Sequence, residues 1–202
     1  WSYETFDEPH FQYTSKITKI PEHCFLRGYW QSEKYFEEFS NEIKSIFSFN
    51  KPLNEENNKI AQSIINSRSV SIHIRGGDFL LKRNQKHQVD LKKYYSDAIK
   101  TVLKNHTNPK FFIFSDDFDW VSKNNLMESN YVFVRINQEN SSFLDMQLMS
   151  LCDVNIIANS SFSWWSAWLN NKSDKTIFAP KNWFNDKSII TDDLIPKSWN
   201  KI

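Results

Sequence analysis

Three segments of the 202-residue sequence combine residue types that can hold an anionic ligand. The first is His73-Ile74-Arg75-Gly76-Gly77-Asp78. In a strand, residues two apart point to one face, so His73 and Arg75 project together, while the paired glycines let the backbone turn sharply or approach a ligand. A guanidinium is always charged and presents a planar fork of donors, which suits the oxygens of a diphosphate. The same spacing also permits an Arg75–Asp78 ion pair that closes a turn, with His73 as a core residue. The second segment, Ser115-Asp116-Asp117-Phe118-Asp119, contains an Asp-x-Asp triplet in Asp117 and Asp119 that can hold a divalent metal. Ser or Asp just after a strand and before a helix is also the ordinary capping arrangement, and we expect capping here. The third constellation joins Asp145, within 143–150, to Asn159-Ser160-Ser161-Phe162-Ser163-Trp164-Trp165. Small hydroxyl residues at the start of a helix offer amides and hydroxyls to a phosphate. Asp145 can cap a helix, and a carboxylate can also accept the paired N–H donors of a guanine edge.

The elements that must position these groups follow from hydrophobic patterning. Short apolar runs predict strands over 70–74, 111–114, 131–134, 154–158 and 176–178. Helical spacing predicts helices over 94–103, after Asp117, over 143–151 and over 164–169. This alternation predicts an α/β fold in which a parallel sheet is flanked by helices. Ligands of such sheets bind beyond the carboxyl ends of the strands, where all three segments fall. Upstream, Tyr35, Phe36, Phe39, Ile43, Ile46 and Phe47 predict an amphipathic helix, and Ile60, Ile64 and Ile65 predict a second. Residues 1–66 are read as a linker and helical segment, and 67–202 as the sheet domain.

Composition narrows the function. With 25 Lys and Arg against 24 Asp and Glu, the net charge of +1 provides no general positive field for nucleic acid. Apolar runs stop after four or five residues, far short of the roughly twenty a membrane span needs. The three glycines, Gly28, Gly76 and Gly77, leave no Walker or dinucleotide-type loop. Cys24 and Cys152 lie far apart and are read as two buried thiols.

In this order the three segments resemble glycosyltransferase family 11, the α-1,2-fucosyltransferases. Its signature is His-x-Arg-Arg-x-Asp, then a Ser-Asp-Asp segment, then Asn-Ser-[Ser/Thr]-[Phe/Tyr]-Ser-Trp-Trp. The resemblance runs from Phe25-Leu26-Arg27-Gly28-Tyr29-Trp30-Gln31 to Pro180-Lys181-Asn182-Trp183. It implies a Rossmann-like domain that binds GDP-fucose, the donor-binding half of a GT-B architecture. Residues 1–66 would then be the remainder of an acceptor-side region whose N-terminal part is absent from this polypeptide, leaving the fragment alone inactive. It further implies Arg75 as the catalytic residue on the β-phosphate, His73 and Asp145 near guanine and ribose, and Asp78, Ser160, Ser161 and Phe162 completing the donor site. The implied reaction is inverting transfer of fucose to a galactose hydroxyl of a glycan, with neither metal nor cofactor. The implied setting is cytoplasmic and bacterial-type, with at most peripheral contact with the inner membrane and no nucleic-acid partner. One position departs from the signature: Gly76 stands where the family usually has a second Arg. Two alternatives stay open, a non-catalytic nucleotide- or glycan-binding module and a metal-dependent sugar transferase using Asp117 and Asp119.

Overall fold

The structure, a computed structural model, describes residues 4–8, 11–76, 89–124 and 130–202. Its centre is a six-stranded sheet built from β3 (Ser69–Ile74), β4 (Lys110–Ser115), β5 (Tyr131–Val134), β6 (Val154–Ile156), β7 (Thr176–Ala179) and β8 (Asn200–Lys201). Every pairing is parallel, and the spatial order is β5-β4-β3-β6-β7-β8. Counted from β3 as the first strand, this is the 3-2-1-4-5-6 order of dinucleotide-binding sheets. Its order reverses between β3 and β6, which opens a crevice at their carboxyl ends.

Alternation along the strands assigns the two faces. Val70, Ile72 and Ile74 of β3 and Phe111 and Ile113 of β4 pack with Tyr94, Tyr95, Ala98, Ile99 and Val102 of α3 (Lys92–Asn105) and Val121 of α4 (Phe118–Asn124). On the opposite face, Phe112 and Phe114 pack with Ala61 and Ile64 of α2 (Glu55–Ile65) and Leu148 and Met149 of α5 (Phe143–Ser150). Beside them Trp164, Ala167 and Trp168 of α6 (Ser161–Leu169) pack on Ile157, Ile177 and Ala179. The odd-numbered face of β3 therefore carries His73, the neighbour of Phe114 in the ladder, toward the α5 and α6 side.

That side also buries a polar network. Asn155 Nδ2 donates to Ser71 Oγ and to Met149 O, both at 2.7 Å, while Asn170 Nδ2 donates to Asn155 Oδ1 and to Cys152 O, both at 2.8 Å. The four bonds tie the carboxyl ends of α5 and α6 to the sheet, so their amino ends meet the ligand crevice on a fixed base.

The predicted strands and the helices after β3 are present, with shifted ends. The run 154–158 forms a ladder only over Val154–Ile156, and the last helix begins at Ser161 rather than 164. The predicted helix over 35–47 is broken. Glu33–Tyr35 and Glu37–Phe39 are 3-10 turns, and α1 is limited to Ser40–Ile46. Tertiary ring contacts compete with the helix: Tyr35 packs on Trp30, and Phe36 on Trp165 and Trp168. Sequence patterning missed β8 and a separate two-stranded parallel sheet of β1 (Glu4–Asp7) and β2 (Cys24–Arg27). Cys152 is buried, which pushes its thiol up to about 12. Cys24 is only partly buried, contrary to expectation, because β2 is largely exposed. No helix among the described residues is long and apolar enough to cross a membrane.

Candidate functional site

At the carboxyl ends of β3, β4 and β5 lies a cavity of about 560 Å³, within the usual range of roughly 300–1,000 Å³ for small-molecule sites. His73 and Arg75 enter it from the end of β3, Ser115 and Asp116 from β4, Arg135 and Asn137 from the segment after β5, Asp145 from α5 and Phe162 from α6. Four residues singled out in the sequence, His73, Arg75, Asp145 and Phe162, thus line one space although they come from three separate elements, the end of β3, α5 and α6. Ser160 and Ser161 are not among its lining residues, and Gly77 and Asp78 lie outside the described residues.

The end of β3 is held from three sides. Tyr95 Oη donates to His73 O at 3.0 Å, and Gly76 N donates to Asp116 Oδ1 at 2.8 Å. Arg75 Nε lies 3.2 Å from Asp116 Oδ2. Asp116, just after β4, is thus an ion-pair partner of Arg75, while the expected Arg75–Asp78 pair falls on a residue outside those described. Burial, and secondarily the charge of Arg75, lowers the His73 pKa to about 3. The imidazole is therefore neutral near pH 7 and serves as a hydrogen-bonding group rather than a charge. Its Nδ1 has no hydrogen-bond partner among the described residues, and its ring packs 5.5 Å from that of Phe162.

Asp145 has a support that the sequence reading did not find. Asn137 Nδ2 donates to Asp145 Oδ1 at 2.7 Å and to Asn57 Oδ1 at 2.7 Å, and Asn57 Nδ2 returns a bond to Asn137 Oδ1 at 2.9 Å. Asn57 N and Nδ2 both donate to Asn54 Oδ1, which caps α2. A chain of amides therefore runs from the start of α2 to the cavity. Burial raises the Asp145 carboxyl to about 6, against the lowering effect of the Asn137 bond. Near pH 7 it remains largely ionised and can accept two parallel N–H donors.

The Asp-x-Asp triplet behaves as expected of a cap: Asp117 Oδ1 accepts from Trp120 N at 2.9 Å, and Asp117 N donates to Ser115 Oγ at 2.9 Å. At the start of α6, Ser160 is the N-cap but makes no side-chain cap bond. The Ser161 hydroxyl is turned away, donating to Gln31 Oε1 at 2.6 Å. The first-turn amides next to Phe162 are accordingly not covered by the N-cap side chain, and amides at a helix start favour an anion.

Gly76 has a steric reason to be glycine. A Cβ there would lie 2.6 Å from Asp117 Cβ and 2.8 Å from Asp117 Oδ2. Since Asp117 is fixed by its cap, Gly76→Ala is expected to lower stability by about 1–3 kcal/mol. Thermal or urea unfolding of the variant checks this, and an unchanged midpoint would show that the cap yields freely.

The profile of Glycosyl transferase family 11 matches residues 2–202. An Escherichia coli protein named alpha-1,2-colitosyltransferase is 36% identical over 197 residues, covering 95% of this chain and 67% of its own length. A second, O-antigen biosynthesis glycosyltransferase WbnK of Escherichia coli, is 35% identical over 83% of this chain and 58% of its own length. Galactoside alpha-(1,2)-fucosyltransferase 1 of Ateles belzebuth is 27% identical over 71% of this chain and 42% of its own length. The chain thus spans between 42% and 67% of the length of these relatives.

Proposed function

Because the chain belongs to glycosyl transferase family 11, we propose that its cavity binds a GDP-activated deoxy sugar and that the protein transfers fucose from GDP-fucose to a galactose hydroxyl of a glycan. The observation that carries this reading is the convergence of His73, Arg75 and Asp145 with the start of α6 on one cavity beyond the strand ends. Asp145 accepts the N1–H and N2–H donors of guanine, with neutral His73 beside the nucleoside. Arg75 and the first-turn amides of α6 hold the diphosphate. Ser160 and Ser161 are kept in the site from the resemblance alone, and the Ser161 hydroxyl already serves Gln31. Asp78 is kept in the site from the resemblance alone. The sheet acts as the donor half of a GT-B pair, and residues 1–66 lead into it from the acceptor side.

In the proposed reaction the acceptor hydroxyl oxygen attacks C1 of fucose and gives up its proton while the C1–O bond to the β-phosphate breaks, which releases GDP and inverts the configuration. C1 gains oxocarbenium character as negative charge builds on the leaving phosphate. A fixed guanidinium meets more charge in the transition state than in the ground state and so accelerates the step. The fit at Gly76 supports an enzyme over a non-catalytic module, since that glycine answers a packing demand and is no sign of decay.

A second donor is favoured by a specific observation, the 36% identity to a colitosyltransferase. Assay of the complete protein against simple galactosides with GDP-fucose and with the corresponding colitose donor tests both readings. Transfer of fucose supports the first, and transfer of colitose alone replaces it.

Metal dependence is settled in the same assay. Since Arg75 and the α6 amides supply positive potential and Asp117 is engaged in a cap, excess EDTA is expected to leave turnover within about twofold. A large loss restored by manganese would make Asp117 and Asp119 ligands.

A further inference from the structure

Resting on the reading of the cavity as a nucleoside-diphosphate site, we propose that Arg135 is its second phosphate-holding residue and supplies the cation that Gly76 does not. Arg135 directly follows β5, at the same end of the sheet as Arg75. Arg75 and Arg135 are the two charged cations among the described residues lining the cavity. Their surroundings differ. Arg75 has the carboxylate of Asp116 at 3.2 Å, which offsets part of its field. Arg135 makes no ion pair among the described residues and instead lies over two rings, its Cζ 4.4 Å from the centroid of Phe118 and 4.8 Å from that of Phe133.

The rings hold the guanidinium by its faces and leave its in-plane N–H groups to a ligand. Phe118 and Phe133 also pack edge to face on each other at 5.5 Å, so the platform is built from α4 and β5 together. An arginine placed by stacking, and without a carboxylate partner among the described residues, keeps its charge for an incoming anion. A diphosphate brings several negative charges, more than one partly offset arginine balances, and a second guanidinium binds its oxygens by charge-assisted hydrogen bonds.

The test is calorimetric titration of the 202-residue chain with three probes: GDP, inorganic pyrophosphate and guanosine. Arg135→Gln is expected to weaken GDP and pyrophosphate by roughly tenfold to a hundredfold and to leave guanosine unchanged. Unchanged GDP affinity, or an equal loss with guanosine, would overturn the proposal and make Arg135 a packing residue or a base contact. Should Arg135→Gln not fold, Arg135→Met and Arg135→Lys keep a long stem on the rings. Met is then expected to lose phosphate affinity and Lys to retain most of it, and a Lys variant no better than Met would refute the assignment. Wild-type binding of pyrophosphate without GDP would remove the guanosine reading while the Arg135 contrast is still read on pyrophosphate. A wild-type chain that binds neither removes both.

Discussion

Replacing Arg75 by alanine in the complete protein is expected to slow transfer about a hundredfold, equivalent to on the order of 3 kcal/mol of transition-state stabilisation. The loss should fall mainly on kcat, because charge on the leaving phosphate peaks in the transition state. Arg75→Lys should recover only part of the rate, since an ammonium keeps the charge but not the fork of donors. There is also a structural consequence. Asp116 faces Arg75 through Oδ2 while its Oδ1 accepts from Gly76 N at 2.8 Å. Alanine at 75 leaves that carboxylate without its cation, so a modest loss of stability should accompany the kinetic one. A fully active Lys variant would make Arg75 a general electrostatic or structural group.

Asp145→Asn is expected to weaken GDP by roughly a hundredfold and at the same time to stabilise the ligand-free fold. Both effects come from the burial that raises this carboxyl to about 6 from its ordinary 3.8. An amide accepts through one oxygen and turns a donor toward the guanine donors, so charge-assisted bonds are lost and replaced by a conflict. For stability, the folded state holds a proton between pH 3.8 and about 6 that the unfolded state has released. Folding stability therefore declines as pH rises through that window, and the cost is fully present above it. Asn removes the cost, by on the order of 2 kcal/mol near neutral pH. Ligand binding has the opposite dependence: wild-type GDP affinity should fall as pH drops below about 6, approaching tenfold per unit, because the protonated acid no longer accepts both donors. The Asn variant should lack this limb. Calorimetry across pH together with thermal unfolding reads both quantities, and an Asn variant that binds GDP as tightly as wild type would remove Asp145 from base recognition.

Much of the sheet was legible because its strands are buried on both sides and read as apolar runs, as in Phe111 to Phe114. The strands that were missed carry no such signal. Strand β8 has two exposed residues, and β1 and β2 have four each, mostly exposed, so they form through neighbours distant in sequence. Charge made parts of the site readable: Arg75 and Asp145 stand out by type and by position at element ends. Asn57 and Asn137 do not, since each is an uncharged amide whose partner is 80 residues away. Arg135 carries position as its one sequence signal, since it directly follows the strand 131–134 at the end of the sheet where ligands bind. Its stacking on Phe118 and Phe133 depends on side-chain directions that spacing does not reveal.

The claim on which the account rests is that the cavity recognises guanosine diphosphate through Asp145 and Arg75. Titration of the 202-residue chain with GDP and with UDP tests it most directly. The account predicts GDP binding at least roughly tenfold tighter than UDP, because only guanine offers the paired donors that the Asp145 carboxylate can accept. Equal affinity for the two nucleotides, or a preference for UDP, would contradict it.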